Sequence, residues 1–317
     1  MTTVTQPHAM TMNKTPVPFY FTGFADEASP LLDEQMRVTR ELGWRAIELR
    51  KVEVPGYPVG NLHDIPDAAF ARVVERLDEA GIRVSSLGSA LANGARDIRL
   101  PFDDDLATAR RAATRAQRLG APFVRVMSYP VGDPNDLLED ERFRRLRELV
   151  RVFSDTGVTV IHENCGNYGG MGWTYTLRML DAVPGLKLVF DTGNCVKDAD
   201  YIRPAPHPRQ SAWEFFQNVK AHVVYVHIKD GVFDQATGRA RWCFPGEGEG
   251  DVRRIVADLF ASGYRGGLSI EPHMSPDGSD FQGDTPEEKR RLLYIEYGRR
   301  LMDIVASLSA GGSVADR

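Results

Sequence analysis

The sequence has no hydrophobic run long enough to cross a bilayer, although 42% of its 317 residues are hydrophobic. Its three cysteines, Cys165, Cys195 and Cys243, form no C-x-x-C pair, which predicts reduced thiols in a cytoplasmic protein. Basic residues are not in excess either, because the formal net charge is −5. We therefore expect neither a membrane nor a nucleic-acid partner.

Both ends of the chain lack the hydrophobic periodicity of folded segments. Residues 1–18 are polar and rich in Thr and Pro, with no basic segment leading into an apolar one, so they predict a flexible tail rather than a secretory signal. Residues 309–317 include Gly311 and Gly312 and predict a second flexible tail. Residues 19–308 then form one predicted catalytic domain.

Within this domain, short apolar strands alternate with amphipathic helices. Helices are predicted, for example, at 65–80, 106–119 and 135–156, each followed by a glycine. Continuous apolar strands are typical of parallel strands buried on both faces. Eight strand–helix units predict a single α/β domain, a (β/α)8 TIM barrel. The competing open sheet would have a G-x-G-x-x-G motif after its first strand, which this sequence lacks. The strands are predicted at 19–24, 45–49, 82–87, 122–127, 158–162, 186–190, 223–227 and 267–270.

Four consecutive strands, the fifth to the eighth, each end in a side chain that can bind a metal. These residues are Glu163, Asp191, His227 and Glu271. Neighbouring strands of a barrel place their carboxyl ends side by side, so the four side chains are expected to meet. Alone, each has a simpler explanation, such as a helix cap or an ion pair. Together, three carboxylates and one imidazole suit Mn²⁺ best, with Mg²⁺ or Co²⁺ as alternatives.

With these residues in place, the chain resembles the xylose isomerase-like family of TIM-barrel sugar isomerases and epimerases. The resemblance implies that Glu163, Asp191, His227 and Glu271 bind a divalent metal and that Glu163 and Glu271 act as acid and base. The family's frequent D-x-x-H motif is here Asp191-Thr-Gly-Asn194, so an imidazole that contacts substrate in the family is replaced by an amide.

A narrower resemblance rests on the motifs IHENCGNYGGM, FDTGN, YVHIKDG, FPGEGEGDV, SIEPH and EYGRRLM. Together they are similar to the catalytic α subunit of bacterial C-glycoside deglycosidases. This resemblance implies a lyase that cleaves the carbon–carbon bond between a 3-keto sugar and an aromatic aglycone, a catalytic role for His162, and a small separate β subunit as a partner. His162 and Glu163 are adjacent in a strand, so His162 faces the barrel mouth only if the strand has already broken there.

Further residues near the predicted strand ends are expected to contact substrate. They are Glu48, Lys229, Asn194, Trp173, Trp242 and His273. Alternatives stay open, because Lys229 could form a salt bridge, the tryptophans could pack their own loops, and His273 could support the metal ligands. Two other functions also stay open: a ketose 3-epimerase or sugar (phosphate) isomerase, and a non-catalytic sugar-binding barrel.

Overall fold

A computed structural model of the protein describes residues 19–276 and 283–311. The predicted tail at 1–18 lies outside the described residues. Of the predicted tail at 309–317, residues 309–311 end the last helix, and the remainder also lies outside the described part. The two tails therefore stay predictions.

Eight parallel strands form the barrel. They are β1 (Tyr20–Gly23), β2 (Ala46–Leu49), β5 (Arg83–Gly88), β6 (Phe123–Val126), β7 (Thr159–Glu163), β8 (Lys187–Asp191), β9 (Val223–Ile228) and β12 (Gly267–Ile270). Their order around the sheet is β1-β12-β9-β8-β7-β6-β5-β2. The ring closes where a parallel bridge joins Phe24, just past β1, to Glu48 in β2. This arrangement confirms the predicted (β/α)8 fold.

Helices surround the barrel and close its core with apolar faces. In α2, for example, Ala69, Val73 and Leu77 are buried at helical spacing, and Gly81 ends the helix in a left-handed conformation with φ +63°. The helices are α1 (Leu32–Glu41), α2 (Asp67–Ala80), α3 (Asp103–Arg118), α4 (Glu139–Ser154), α5 (Trp173–Ala182), α6 (Asn194–Lys197), α7 (Ala212–Val219), α8 (Val252–Ala261) and α9 (Pro286–Gly311).

Helix α4 begins at Glu139, four residues later than the sequence predicts. The Asp133 carboxylate accepts a hydrogen bond from the backbone N–H of Asn135, so the chain turns there instead. Leu138 then adopts a left-handed conformation with φ +48°, which a helix interior does not allow. The local turn therefore overrides the helical pattern of this segment.

Two antiparallel hairpins, which the sequence analysis did not predict, follow barrel strands at the mouth. The first pairs β3 (Lys51–Val52) with β4 (Gly60–Asn61). The second pairs β10 (Asp230–Asp234) with β11 (Arg239–Cys243) and directly follows β9. Both hairpins therefore extend the walls of the mouth, where the candidate site lies.

Inside the barrel, Ile161, Val189 and Tyr225 form a small apolar cluster of their own. The Tyr225 hydroxyl lies 2.9 Å from Ser85 Oγ, which lies 2.9 Å from Thr22 Oγ1, so the polar atoms within this layer are satisfied. The layer forms the floor beneath the mouth. No helix in the described part of the chain has the length and apolar character that crossing a membrane requires.

Candidate active site

Four side chains converge at the barrel mouth as their positions at the strand ends predict. Glu163 and Asp191 are the last residues of β7 and β8, His227 is the penultimate residue of β9, and Glu271 directly follows β12. Each residue offers one ligand atom, and these four atoms all lie within 4.8 Å of one another. All four residues are buried, so an approaching cation would meet their oxygen and nitrogen atoms with little intervening water.

The imidazole of His227 lies between two carboxylates. Its Nε2 atom is 3.2 Å from Glu48 Oε2, and its Nδ1 atom is 3.6 Å from Glu163 Oε2. Neither ring nitrogen has a partner in hydrogen-bond geometry among the described residues, although both are buried. A buried ring nitrogen without a partner is costly, and a bound cation would satisfy it.

Permanent cations partly neutralise the acidic cluster. Arg125 Nη1 lies 2.8 Å from Glu163 Oε2, and Arg50 Nη1 lies 2.9 Å from Glu271 Oε1. The buried Lys229 ammonium lies 3.0 Å from both Asp191 Oδ2 and Glu271 Oε2. These three cations face six carboxylates in two groups of ion pairs that meet at the cluster: Asp26, Glu27, Asp191 and Glu271 in one, and Glu48 and Glu163 in the other.

The competition between burial and charge sets the protonation of the cluster. Burial raises the pKa of Asp191 to about 6, although Lys229 counteracts this effect. Burial lowers the pKa of His227, but the Glu48 and Glu163 carboxylates outweigh it and raise the value to about 10. Burial raises the pKa of Glu163, yet Arg125 and His227 hold it well below its usual range. Glu163 is therefore an ionised carboxylate at neutral pH.

The cluster fits a hard divalent cation. It supplies three carboxylates and one imidazole, the donor set preferred by Mg²⁺ and Mn²⁺ rather than by structural zinc. With His227 protonated, as its pKa of about 10 implies, the six carboxylates face four positive charges, so a divalent cation that displaced the imidazole proton would still lower the electrostatic repulsion within the cluster. The unpartnered Nδ1 of His227 faces the same space.

Two asparagines hold the ligand side chains in place. Asn164 Nδ2 donates to the Asp191 carbonyl at 3.0 Å, and its Oδ1 accepts from the Asp191 N–H at 2.7 Å. Asn194 donates its backbone N–H to Asp191 Oδ1 at 2.6 Å and its amide to Glu163 Oε1 at 2.8 Å. Asn194 thus contacts two of the candidate metal ligands directly, and its predicted contact with substrate stays a prediction.

His162 points away from the cluster, because β7 continues unbroken through Glu163. Its Nε2 lies 3.0 Å from Ser128 Oγ and 3.2 Å from Asn167 Oδ1, and its ring is fully buried. A Cβ atom on Gly169 would approach His162 Cε1 to 2.3 Å, so a residue without a side chain is required there. A catalytic role for His162 stays a prediction, and it requires this loop to move.

Three of the other predicted substrate contacts lie together beside the cluster. Trp242 and His273 make an edge-to-face contact with ring centroids 5.8 Å apart, and Lys229 Nζ lies 5.5 Å from the Trp242 ring. His273 Nε2 lies 3.3 Å from Glu271 Oε1. These three side chains line the side of the mouth formed by the second hairpin.

Glu48 and Trp173 occupy different surroundings. Glu48 is fully buried behind His227, where it accepts a hydrogen bond from Ser269 Oγ at 2.5 Å. Trp173 begins helix α5 and packs, partly buried, against the hydrophobic core. Substrate contact by these two residues stays a prediction. The position of Glu48 behind the imidazole favours a role in which Glu48 orients His227.

Asp230 organises the loop that follows the second hairpin, and the sequence analysis gave it no role. Its carboxylate accepts four backbone N–H groups at 2.8–3.1 Å, from Gly231, Gly246, Gly248 and Gly250. A Cβ atom on Gly248 would lie 2.3 Å from Asp230 Oδ1 and 2.4 Å from the Gly231 carbonyl oxygen. The PGEGEGD segment therefore wraps around an internal carboxylate, which explains its glycines.

Arg125 is a second residue to which the sequence analysis gave no role. It lies within the buried strand FVRV, its side chain is 9% exposed, and it pairs with Glu163. A charged residue inside an apolar strand needs a partner of opposite charge, so its position was a usable signal. The position of Arg125 in the strand predicts that it has an acidic partner, but it does not predict that the partner is Glu163, 38 residues later in the chain.

These features define the protein as a (β/α)8 barrel with a carboxylate-rich site at the carboxyl ends of its strands. The family model described as xylose isomerase-like TIM barrel matches residues 36–307, and the chain belongs to this family. No curated protein sequence matched the chain.

Solved structures share this fold at low sequence identity. A xylose isomerase domain protein from Planctomyces limnophilus is 18% identical, with TM-score 0.63, covering 92% of this chain and 98% of that one. A xylose isomerase-like TIM barrel protein from Mycobacterium smegmatis, solved with magnesium, is 20% identical, with TM-score 0.63 and coverage of 92% and 97%. An L-ribulose 3-epimerase is 17% identical, with TM-score 0.59 and coverage of 90% and 98%. At these identities the likeness establishes the fold.

Proposed function

We propose that this protein is a divalent-metal-dependent enzyme that removes a proton from the carbon next to a sugar ketone. The observation that carries the proposal is the convergence of Glu163, Asp191, His227 and Glu271 within 4.8 Å at the mouth of the barrel. These residues would hold the cation, with Mn²⁺ expected first and Mg²⁺ as the alternative. The cation would supply Lewis acidity at the ketone oxygen and a neighbouring hydroxyl. The magnesium-bound family structure supports a cation of this class.

The chain's own residues supply the remaining chemistry. Glu163 and Glu271 are both ionised, because cations hold their pKa values below the usual range, so either can accept a proton. A positioned base of this kind contributes typically about 10²–10⁴-fold to the rate. Lys229 and Arg50 lie against Glu271 and would stabilise negative charge on substrate oxygens.

Within this class, we propose a C-glycoside deglycosidase acting on a 3-keto sugar joined to an aromatic aglycone. The base takes the proton from C2, the C1–C2 double bond forms as the C1–aryl bond breaks, and the aryl carbon takes up a proton. A phenol on the aglycone favours this step, because its keto tautomer already carries that proton. The support is the set of motifs around Glu163, His227 and Glu271, and a small β subunit is part of the proposal.

A ketose 3-epimerase is the second candidate. Two carboxylates, Glu163 and Glu271, border the same cluster and could serve as acid and base on opposite faces of one carbon. The fold similarity to an L-ribulose 3-epimerase is compatible with this reaction. The two candidates share the first proton transfer and differ in what happens to the resulting enolate.

The test is an activity assay of the Mn²⁺-loaded protein, performed alone and with any small protein encoded beside it that could serve as the β subunit. One substrate is a flavone 3-keto C-glucoside, and the others are fructose and tagatose. The lyase would be supported if the protein released the aglycone, if Glu163→Gln lost this activity, and if Glu75→Gln, an exposed control, kept it. Epimerised ketose without aglycone release would select the epimerase. Metal binding without turnover of any substrate would favour a sugar-binding barrel over both enzymes.

A further inference from the structure

A cavity of about 490 Å³ opens at the mouth of the barrel beside the acidic cluster. Its walls come from the loops that follow β6, β7 and β8, and its apolar lining includes Val131, Met171 and Tyr201. None of the residues assigned to the proposed reaction lines this cavity, so that reaction gives it no role. Its volume falls in the range of sites for ligands of drug size, about 300–1,000 Å³, and exceeds the needs of an isolated phosphate or carboxylate.

Hydrogen bonds between the two facing loops fix the shape of the cavity. Gln210 Nε2 donates to the carbonyl of Gly170 at 2.6 Å and to that of Ala199 at 2.9 Å. The backbone N–H of Tyr201 donates to the Met171 carbonyl at 2.9 Å. The walls are therefore tied to each other across the cavity, as expected for a largely preformed site.

The charged groups that line the cavity have an excess of positive charge. Lys197 Nζ lies 3.4 Å from Asp198 Oδ1. Arg209 donates through Nη1 to the carbonyl of Lys197, and its guanidinium stacks 4.6 Å from the centre of the Phe233 ring. Two cations thus face one carboxylate among the described lining residues. An acidic ligand would meet donors that are already held in place.

The cavity lies close to the acidic cluster, because Lys197, which lines it, interacts electrostatically with Asp191 and Lys229. Gly166 and Asn167, which line it, follow Glu163 by three and four residues, and Lys197 follows Asp191 by six. Cys165 is near both regions, because Glu163 of the cluster and Lys197 of the cavity both interact electrostatically with it. A ligand that occupied both regions would place one end at the cluster and the other against Lys197 and Arg209.

We infer that this cavity binds the second part of the substrate, an aromatic group that carries an acidic hydroxyl. Val131, Met171 and Tyr201 offer apolar contact to the rings, and Arg209 and Lys197 offer charged donors to the ionised oxygen. This inference rests on the proposed function for the link to the cluster, because a free ketohexose would leave the cavity unfilled. It gives Arg209 and Lys197 a role in selecting acidic aglycones.

The experiment measures binding to the full-length, metal-free protein, so it does not depend on turnover. The probes are 7-hydroxyflavone, at a pH where its hydroxyl is ionised, and 7-methoxyflavone as the neutral match. Calorimetry should show at least about tenfold tighter binding of the ionised probe, as expected for a charge-assisted hydrogen bond. Arg209→Gln and Lys197→Met should each remove most of this preference. Arg110→Gln, on the exposed face of α3, should retain it.

A blocking variant separates the cavity from the cluster. Val131→Trp should abolish binding of both flavones and leave Mn²⁺ affinity unchanged, which also reports that the variant is folded. Equal binding of the two probes, or a preference that survives both Arg209→Gln and Lys197→Met, would overturn the inference. So would Arg209-dependent binding of inorganic phosphate with no binding of either flavone. Failure of the Glu163-dependent reaction with flavone binding intact would overturn the proposed function alone.

Discussion

Glu48 Oε2 lies 3.2 Å from His227 Nε2, on the side of the imidazole opposite the nitrogen that faces Glu163. A carboxylate in this position keeps the proton on Nε2, so Nδ1 is the nitrogen that would bind a cation on losing its own proton. Ser269 in turn donates to the same oxygen of Glu48, so the carboxylate itself is held in place. Glu48 is therefore placed to orient His227, a candidate metal ligand that lies far from it in the sequence.

Glu48→Gln should weaken Mn²⁺ binding by about 10–100-fold, because the neutral amide polarises and orients the imidazole less strongly. Calorimetric titration of the metal-free protein with Mn²⁺ measures this change directly. Glu75→Gln, an exposed carboxylate on α2, is the matched control and should bind Mn²⁺ as the wild type does. Equal affinities in the two variants would show that Glu48 does not act through His227.

Lys229→Met should have opposite effects on the metal-free and metal-loaded protein. Removing the ammonium leaves Asp191 and Glu271 without the cation that lies 3.0 Å from each, which should destabilise the metal-free protein by about 3 kcal/mol or more. The same change removes a repulsive charge, so Mn²⁺ should bind roughly tenfold more tightly or better.

Thermal unfolding in EDTA and in Mn²⁺ tests the Lys229 prediction. The variant should unfold at a lower temperature than the wild type in EDTA. Added Mn²⁺ should raise the unfolding temperature of the variant by more than it raises that of the wild type. Lys220→Met, which removes an exposed ion pair with Asp258, serves as the control. If Mn²⁺ raised the unfolding temperature of Lys229→Met by no more than that of the wild type, the ammonium and the metal would not compete.

Asp230→Asn should destabilise the protein by about 2–4 kcal/mol, because the amide group turns a hydrogen-bond donor towards backbone N–H groups. Gly248→Ala should have a comparable effect, since the added Cβ would collide with Asp230 Oδ1 and the Gly231 carbonyl. Urea unfolding monitored by circular dichroism measures both. Gly94→Ala is the control, because a Cβ there meets no atom within 4 Å. If Asp230→Asn proved as stable as this control, the loop would be held by other contacts.

The buried His63 predicts a loss of stability in mild acid. Burial, reinforced by nearby arginines, lowers its pKa from 6.5 to about 4. The unfolded chain therefore binds this proton more readily, so the free energy of unfolding falls as the pH drops from 6.5 towards 4 and loses no more below that value. The loss attributable to this ring is about 3 kcal/mol.

Urea titrations at several pH values between 7 and 4 test the His63 prediction. His63→Gln should reduce the slope of stability against pH, and His222→Gln, an exposed histidine, should not. Part of the slope should remain in His63→Gln, because burial also lowers the pKa of His162 to about 4. An unchanged slope in His63→Gln would mean that the wild-type imidazole takes up its proton as easily in the folded protein as in the unfolded chain.

The sequence was informative where structure is local and repetitive. Each barrel strand is a short apolar run, and the metal-capable residue at its end could be located without knowing any distant contact. Barrel geometry then required Glu163, Asp191, His227 and Glu271 to meet, and the structure brings them together. The order of the strands likewise followed from their unbroken alternation with helices.

The residues that the sequence did not assign depend on contacts between distant segments. Arg125 pairs with Glu163 and Glu48 faces His227, and neither pairing follows from spacing. The hairpin that begins at Asp230 has a polar sequence without a two-residue turn signal, so its strands resembled a loop. The cavity beside the cluster depends on how residues 198–210 fold back, which local propensity does not determine.

The closure of the barrel has a consequence for the order in which the chain can fold during synthesis. Strand β1 is aligned with β12 from Tyr20↔Gly267 to Gly23↔Ile270, whereas the described residues join it to β2 through the one bridge at Phe24 and Glu48. About 250 residues therefore leave the ribosome before the first strand meets its main partner, roughly 12–50 s at typical elongation rates. During that interval its apolar edge is exposed, so cotranslational protection of β1 is expected to govern the yield of folded protein.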